Sequence, residues 1–228
     1  MSRNFILAIA LVISVAVRAQ DIEINGKIWQ SNNLSTNKYS NGDLINEAKD
    51  MEDWLIYAKR GQGCYIKHND QYYYNYYAIY DGRDLAPDGY RIATDNDWLS
   101  INLFLRQYDY RDNGKILKSK QGWATYSITV DGGRSRPEIV DGNGTNQLGF
   151  NAMPCGYYSN KGKFVADNGF KAYWASKSQI DILYFVSLGS EPQKNERLYK
   201  DFLSEPSYFI IGERVRDDGF CVRCVKSN

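Results

Sequence analysis

The periodic stretches of this chain are short and of two kinds, and that mixture limits its fold more than any other feature. "DIEINGKIWQ" alternates at Ile22, Ile24 and Ile28 around Asn25-Gly26, so the spacing predicts an N-terminal β-hairpin. "AKDMEDWLIYAKRG" predicts a short helix that Asp50 caps, with Trp54, Leu55 and Ala58 on one face and Gly61 as its stop. "TDNDWLSINLFLRQ" is the clearest helix: Thr94 and Asp97 form a variant of the capping box, and Trp98, Ile101 and Leu105 follow at helical spacing. "ATYSITVDGG", "DILYFVSLGS" and the tail, which alternates at Phe220, Val222 and Cys224, read as strands. A strand at each end, two helices and long loops between Leu188 and Phe220 predict an α+β fold, not a parallel α/β sheet.

The N-terminus decides the compartment expected for that fold. "MSRNFILAIALVISVAVRAQ" carries Arg3, an apolar run from Phe5 to Val17, and then Val17-Arg18-Ala19. Small residues at −3 and −1 before Gln20 predict a signal peptide over residues 1–19, removed from a single domain over 20–228. The run is shorter than the ~20 residues a spanning helix needs, and no later stretch approaches that length, so no membrane span is expected in the mature chain. The expected location is outside the cytoplasm of a bacterium: secreted, periplasmic or at the cell surface. Net charge is +1 with both signs interspersed, which argues against a nucleic-acid partner.

Few residues suggest catalysis. His68 is the only histidine, so a triad or multi-histidine metal site has one available centre, and its neighbours Lys67 and Asn69 suggest a solvent-facing loop. Glu191-Pro192-Gln193 offers a carboxylate and an amide beside a proline-fixed bend, a pattern that can present oxygens to calcium and a sugar diol. "DGNGTNQ", Asp141 to Gln147, places oxygen ligands at alternate positions but lacks the trailing glutamate of a calcium loop. Calcium at either place is the one metal candidate; no other cofactor is expected. The aromatic content is more informative. "QYYYNYYAIY" holds six tyrosines in ten residues. If extended, it puts Tyr73, Asn75 and Tyr77 on one face and Tyr72, Tyr74, Tyr76 and Tyr80 on the other. Most of these rings are expected to fill the core, and the surplus, Tyr72 and Tyr73 foremost, to form a platform for sugars or a protein interface. Glu191 and Gln193 complete the candidate binding set.

The chain ends "GFCVRCVKSN". On a strand, residues three apart point to opposite faces, so Cys221 and Cys224 are badly placed to pair with each other or to chelate a metal together. Four cysteines in a secreted chain suggest two disulfides. With the local bridge excluded, Cys221 and Cys224 each pair with one of Cys64 and Cys155, and two connectivities remain open. Each bridge is worth about 3–5 kcal/mol in the chain-entropy account.

Four blocks carry a resemblance. "INGKIWQSNNLSTNKYSNGDLI" is similar to an Ile-Gly-x-Gln-x-Trp-x-x-x-Asn-Leu block, and "NYYAIYDGRDLAPDGYRIATDNDW" to Tyr-Asn-Trp-Tyr-Ala-Val followed by Cys-Pro-x-Gly-Trp-x-Val-Pro-Thr-Asp-x-Glu-Trp. "TNQLGFNAMPCGYYSNKGKF" resembles Thr-Asn-x-x-Gly-Phe-x-Ala-Leu-Pro-Gly-Gly-Tyr, and "YWASKS" with "GFCVRCVKSN" resembles Tyr-Trp-Ser-Ser-Thr and Gly-Phe-Ser-Val-Arg-Cys-Val-Arg. In this order they resemble the Fibrobacter succinogenes major paralogous domain, a large family of secreted and surface bacterial proteins. The resemblance implies a C-type-lectin-like fold: a small twisted antiparallel sheet, paired N- and C-terminal strands, two helices, and long loops on one side. It does not imply a function, because that fold hosts binders and enzymes alike. Two departures stand out. Ala86 replaces the family cysteine expected to pair with the terminal one, while Cys155 and Cys221 replace a glycine and a serine. The expected function is a non-catalytic binding or adhesion module for a glycan or an extracellular protein. The alternative is an extracytoplasmic enzyme, either an oxidase like the formylglycine-generating relatives or a carboxylate-based glycan hydrolase.

Overall fold

The first and last strands of the chain share one sheet, which begins at the Asn25-Gly26 turn. A computed structural model describes residues 21–108, 114–128, 136–165, 168–178, 183–189, 208–213 and 216–227. The expected signal segment, residues 1–19, lies outside the described residues. β1 (Asp21–Ile24) and β2 (Lys27–Gln30) pair antiparallel, with Ile22 opposite Trp29. Asn25 and Gly26 take φ of 52° and 73°, as a two-residue type I′ turn requires. β14 (Cys224–Lys226) joins β2 through Val225 and Trp29, and β6 (Tyr90–Ile92) completes the order β1-β2-β14-β6.

Two helices form where their caps indicate. α1 (Met51–Lys59) starts at Asp50, whose Oδ1 accepts the Asp53 N–H at 3.0 Å. Its Trp54 is fully buried, and the indole N–H donates to the Asp217 carbonyl at 2.8 Å. α3 (Asp95–Leu105) has its capping box: Asp97 Oδ2 accepts the Thr94 backbone N–H and hydroxyl, each at 2.8 Å. Trp98, Ile101 and Leu105 form its buried face. The Trp98 ring packs 4.9 Å from Trp29 and 5.5 Å from Trp174, so α3 is fastened to the terminal sheet by aromatic contact.

Three expectations are corrected. The tyrosine-rich segment is not one strand: β5 (Gln71–Tyr74) ends at Asn75, whose side chain caps a third, short helix, α2 (Tyr76–Ile79), by accepting the Ala78 N–H at 2.9 Å. The strands of the described residues make five small sheets, not one. β4 (Cys64–His68) pairs antiparallel with β5 and parallel with β3 (Asn46–Glu47). β7 (Tyr126–Ile128) pairs with β8 (Glu138–Val140), and β9 (Tyr157–Tyr158) with β10 (Phe164–Val165). Finally, the late region expected as loop contains a strand: β11 (Lys171–Lys177), β12 (Leu183–Gly189) and β13 (Tyr208–Glu213) form a three-stranded antiparallel sheet. Among the described residues, small sheets with three helices make the fold α+β. No helix among the described residues is long and apolar enough to cross a membrane.

The core is double, and the C-terminal segment divides it. Cys221 and Val225 belong to one buried cluster with Trp29, Trp54, Trp98 and Trp174. Phe220, Val222 and Cys224 belong to the other, with Tyr65, Tyr74 and Ile79. The strand alternation expected for the tail is therefore real, with both faces buried. Its backbone is bonded throughout: Gly219 exchanges bonds with Tyr158 and Phe220 with Tyr74, while the Cys221, Val222 and Arg223 carbonyls accept from Ala175, Leu34 and Ala93.

Asp97 ties the start of the chain to this frame. It is wholly buried, yet it pairs with Lys27 at 2.7 Å and accepts a forked contact from Arg91. Burial alone would raise its carboxyl pKa, but bonds from Arg91, Lys27 and Thr94 outweigh that and hold it well below the usual carboxylate value. A group depressed in the folded state stabilises above its unfolded pKa and loses that contribution as pH falls. Asp97→Asn should therefore cost about 2–3 kcal/mol at neutral pH, less than for a fully buried pair because both cations remain partly solvated. Urea unfolding should show the wild-type advantage constant above about pH 5 and shrinking below about pH 4. An advantage that persists unchanged to pH 2 would show that the charge is not its source.

Candidate ligand-binding cleft

The tip of the β4–β5 hairpin stands between two depressions. Asn69 and Asp70 occupy its two-residue turn, with φ of 48° and 60°. On one side a cavity of about 350 Å³ is lined by Asn69, Gln71, Tyr73, Met153, Cys155 and Asn168 together with the Gly122 and Gly169 backbones. On the other, a cavity of about 270 Å³ is lined by Asn32, Asn33, Asp70, Gln71, Tyr72, Asn151, Met153 and Arg223. Gln71 and Met153 line both, so the two form one bipartite cleft. Its polar lining is mostly uncharged side-chain amide.

The polarity of those amides is fixed from beneath. Arg223 is 1% exposed and is bonded to oxygens that carry no formal charge. Its Nε donates to Asn33 Oδ1 at 2.8 Å, and Nη1 donates to the Gln30 and Phe150 carbonyls at 3.0 and 2.9 Å. Nη2 donates to the Asn151 carbonyl at 3.3 Å, and the guanidinium lies 4.3 Å over the Phe150 ring. Burial draws its pKa down to about 9, still above neutrality, so it stays charged. Asn33 Oδ1 also accepts the Trp174 indole N–H at 2.8 Å. With its oxygen so engaged, Asn33 turns its Nδ2 to Gln71 Oε1 at 2.7 Å. Gln71 is thus held oxygen-inward, which leaves its Nε2 as a donor for the cleft it lines. Opposite, Asn151 Nδ2 donates to Asn32 Oδ1 at 3.1 Å.

The residues expected to bind ligand divide. Tyr72 lines the smaller cavity and is half-buried, stacked on Tyr65 at 5.2 Å between ring centres. Tyr73 is only 1% exposed and serves as a wall, its hydroxyl donating to the Cys155 carbonyl. None of the six tyrosines in the segment is exposed, because α2 turns the chain inward at Asn75, so no free aromatic platform forms. Glu191 and Gln193 lie outside the described residues. The amide relay was missed from sequence because Asn33, Gln71 and Arg223 belong to segments distant in the chain. Its only sequence signal was the arginine in "GFCVRCV", an unusual residue between apolar neighbours.

The remaining candidates take structural places. His68 lies in β4, stacked 3.9 Å from the Phe164 ring, not in a loop. In the Asp141–Gln147 loop, Asp141 accepts from the Asn143 backbone and side chain, Asn143 Oδ1 accepts the Trp123 N–H, and Asn146 Oδ1 accepts the Asn151 N–H. These oxygens shape the loop. No group of three or more His, Cys, Asp or Glu that could hold a metal ion occurs among the described residues. A second buried cation, Lys118, lies 4.4 Å over Trp123, and burial draws its pKa to about 7. It lines neither cavity. All four cysteines are buried free thiols; burial pushes Cys64 and Cys224 up to about 12.

The Fibrobacter succinogenes major domain matches residues 22–226, nearly the whole chain. The chain belongs to this family. No curated protein and no solved structure matches it significantly. Within the Fibrobacter succinogenes major domain, Ala86 stands where the resemblance places a cysteine, and it is buried in the same cluster as Cys224. Arg223 falls in the block that closes the domain, where the resemblance also has an arginine. Arg223→Lys keeps the charge but cannot reach four acceptors around a planar fork, so it should cost about 3 kcal/mol in urea unfolding. A loss under about 0.5 kcal/mol, the size of an ordinary surface change, would show that the fork is not needed.

Proposed function

We propose that the chain is a non-catalytic binding module, located outside the bacterial cytoplasm, that takes a neutral glycan in the Asn/Gln-lined cleft. The observation that carries this reading is the relay from Arg223 through Asn33 to Gln71, which sets an amide donor at the junction of the two cavities. Oriented side-chain amides beside a tyrosine suit ligands rich in hydroxyl and ring oxygens, which need both donors and an apolar face. Among the described residues Asp70 is the only carboxylate lining either cavity, and they give the cleft no carboxyl pair of the kind a glycan hydrolase uses. The pairing of the chain's two ends in one sheet, with α3 packed on it through Trp98 and Trp29, supports reading the fold as C-type-lectin-like. The extracytoplasmic location rests on the N-terminal segment, and the route to a glycan-bearing surface follows from it.

The test is a neutral-glycan array probed with the purified chain and two variants. Gln71→Glu keeps the oxygen that Asn33 donates to and removes the outward donor; Tyr72→Ala removes the rim ring. Each should weaken the strongest array signal at least tenfold, roughly the worth of one lost hydrogen bond to a ligand, while the melting midpoint stays within about 3 °C. Equal signals from all three proteins would place binding elsewhere. No signal from the wild type on any neutral glycan would sink the glycan reading, and a protein ligand would then take its place.

A further inference from the structure

The sequence leaves two pairs of disulfides open, but the fold treats the four sulfurs unequally. Gly156 bridges Ala172 and Cys221 bridges Trp174, so the segments carrying Cys155 and Cys221 both lie against the middle of β11. There the Cys155 thiol donates to the Tyr173 carbonyl at 3.6 Å, and the Cys221 carbonyl accepts the Ala175 N–H at 2.9 Å. Each of the two thiols perturbs the other's ionisation, and the Cys221 thiol donates to Gln71 Oε1 at 3.9 Å. Cys224 is packed in the opposite cluster, apart from the other three, and Cys64 opens β4, where its N–H donates to Asn75 Oδ1 and its carbonyl accepts the Asn75 N–H.

We propose that Cys155 and Cys221 form the single disulfide of the oxidised protein, beneath the cleft, and that Cys64 and Cys224 remain thiols. Cys155 lines the 350 Å³ cavity, so it is the sulfur that an incoming disulfide meets first. The Arg223 guanidinium favours its thiolate, as does the hydrogen bond from Cys221, against the cost of burial. With oxidised glutathione as the oxidant, the Cys155 thiolate attacks one of its sulfurs, breaks the S–S bond and releases one glutathione thiolate, which takes up a proton. Cys221 then gives up its proton, attacks the Cys155 sulfur of the mixed disulfide and expels the second glutathione as a thiol. Two protein thiols lose two electrons in all, and one glutathione disulfide becomes two thiols. The bond ties the terminal segment to the loop that supplies Met153 and Pro154 to the cleft wall.

Trypsin cleaves after Arg223 and so separates Cys221 from Cys224, which makes the pairing readable by mass. The full chain is treated with oxidised glutathione, unfolded in guanidinium with iodoacetamide and no reductant, and digested. The expected result is a Cys155 peptide joined to a Cys221 peptide, lost on reduction, with Cys64 and Cys224 alkylated. Four alkylated cysteines, or any bridge that includes Cys64 or Cys224, would overturn the proposal. The measurement uses the wild-type chain, so it does not depend on a variant folding. As a second readout, reduction should lower the wild-type melting midpoint by about 5–15 °C. It should leave the Cys155→Ala/Cys221→Ala protein unchanged; an equal fall in that variant would also count against the bridge.

Discussion

A single buried guanidinium organises this fold. Among the described residues Arg223 has no carboxylate to answer its charge; it is held by the Asn33 amide, three backbone carbonyls and an aromatic face. A buried cation without such partners would cost many kcal/mol, so the segments that supply the oxygens cannot move independently. Those segments are the end of β2, the loop after it, and the loop through Phe150 and Asn151. β2 and the loop after it also bond the terminal segment through Trp29–Val225 and Leu34–Val222, and Arg223 adds the Phe150–Asn151 loop to them. The same guanidinium aligns Asn33 and, through it, Gln71. Stability and the polarity of the cleft therefore come from one side chain.

The terminal segment can play this part because every residue from Gly219 to Val225 is buried. Its backbone bonds reach Tyr158, Tyr74, Ala175, Leu34 and Ala93 in succession, so it acts as a spine between two cores and not as an edge strand. Close approach sets conditions on its neighbours. A Cβ on Gly219 would stand 2.6 Å from the Trp54 ring, and one on Gly63 would stand 2.9 Å from the Ala78 backbone. Both glycines are therefore required by packing: α1 meets the spine at Gly219, and α2 meets the residue before β4 at Gly63.

What could be read from the chain beforehand was local. The hairpin at Asn25-Gly26 and the helices capped by Asp50 and Thr94 are each encoded within a dozen residues, and they form where the spacing puts them. The tyrosine segment failed for a definable reason. Its aromatic content favours an extended chain, yet Asn75 is a good helix cap, and its amide also accepts the Cys64 N–H at 3.0 Å. That second bond spans eleven residues and no propensity reports it. The same holds for His68, whose partner Phe164 is far along the chain. The cleft was illegible for this reason throughout: its amides come from separate loops, and only the folded spine makes them neighbours.

The cleft's chemistry follows from the order in which its bonds are constrained. A side-chain amide in solvent can present either end, so a surface rich in Asn and Gln is ordinarily ambiguous about what it binds. Here the ambiguity is removed one bond at a time. The guanidinium can only donate, so the Asn33 oxygen must face it. The Trp174 indole can only donate as well, and it takes the same oxygen. The Asn33 nitrogen is then committed to the Gln71 oxygen, and the Gln71 nitrogen is the one group in the series with bonds to spare. A ligand must meet it with an acceptor. Because the charge that begins the relay is buried and bonded through four of its five N–H groups, the donor is set without attracting anions from solvent strongly. That combination, a fixed donor among uncharged amides with one carboxylate and one buried guanidinium in the wall, suits uncharged oxygen-rich ligands better than acidic ones.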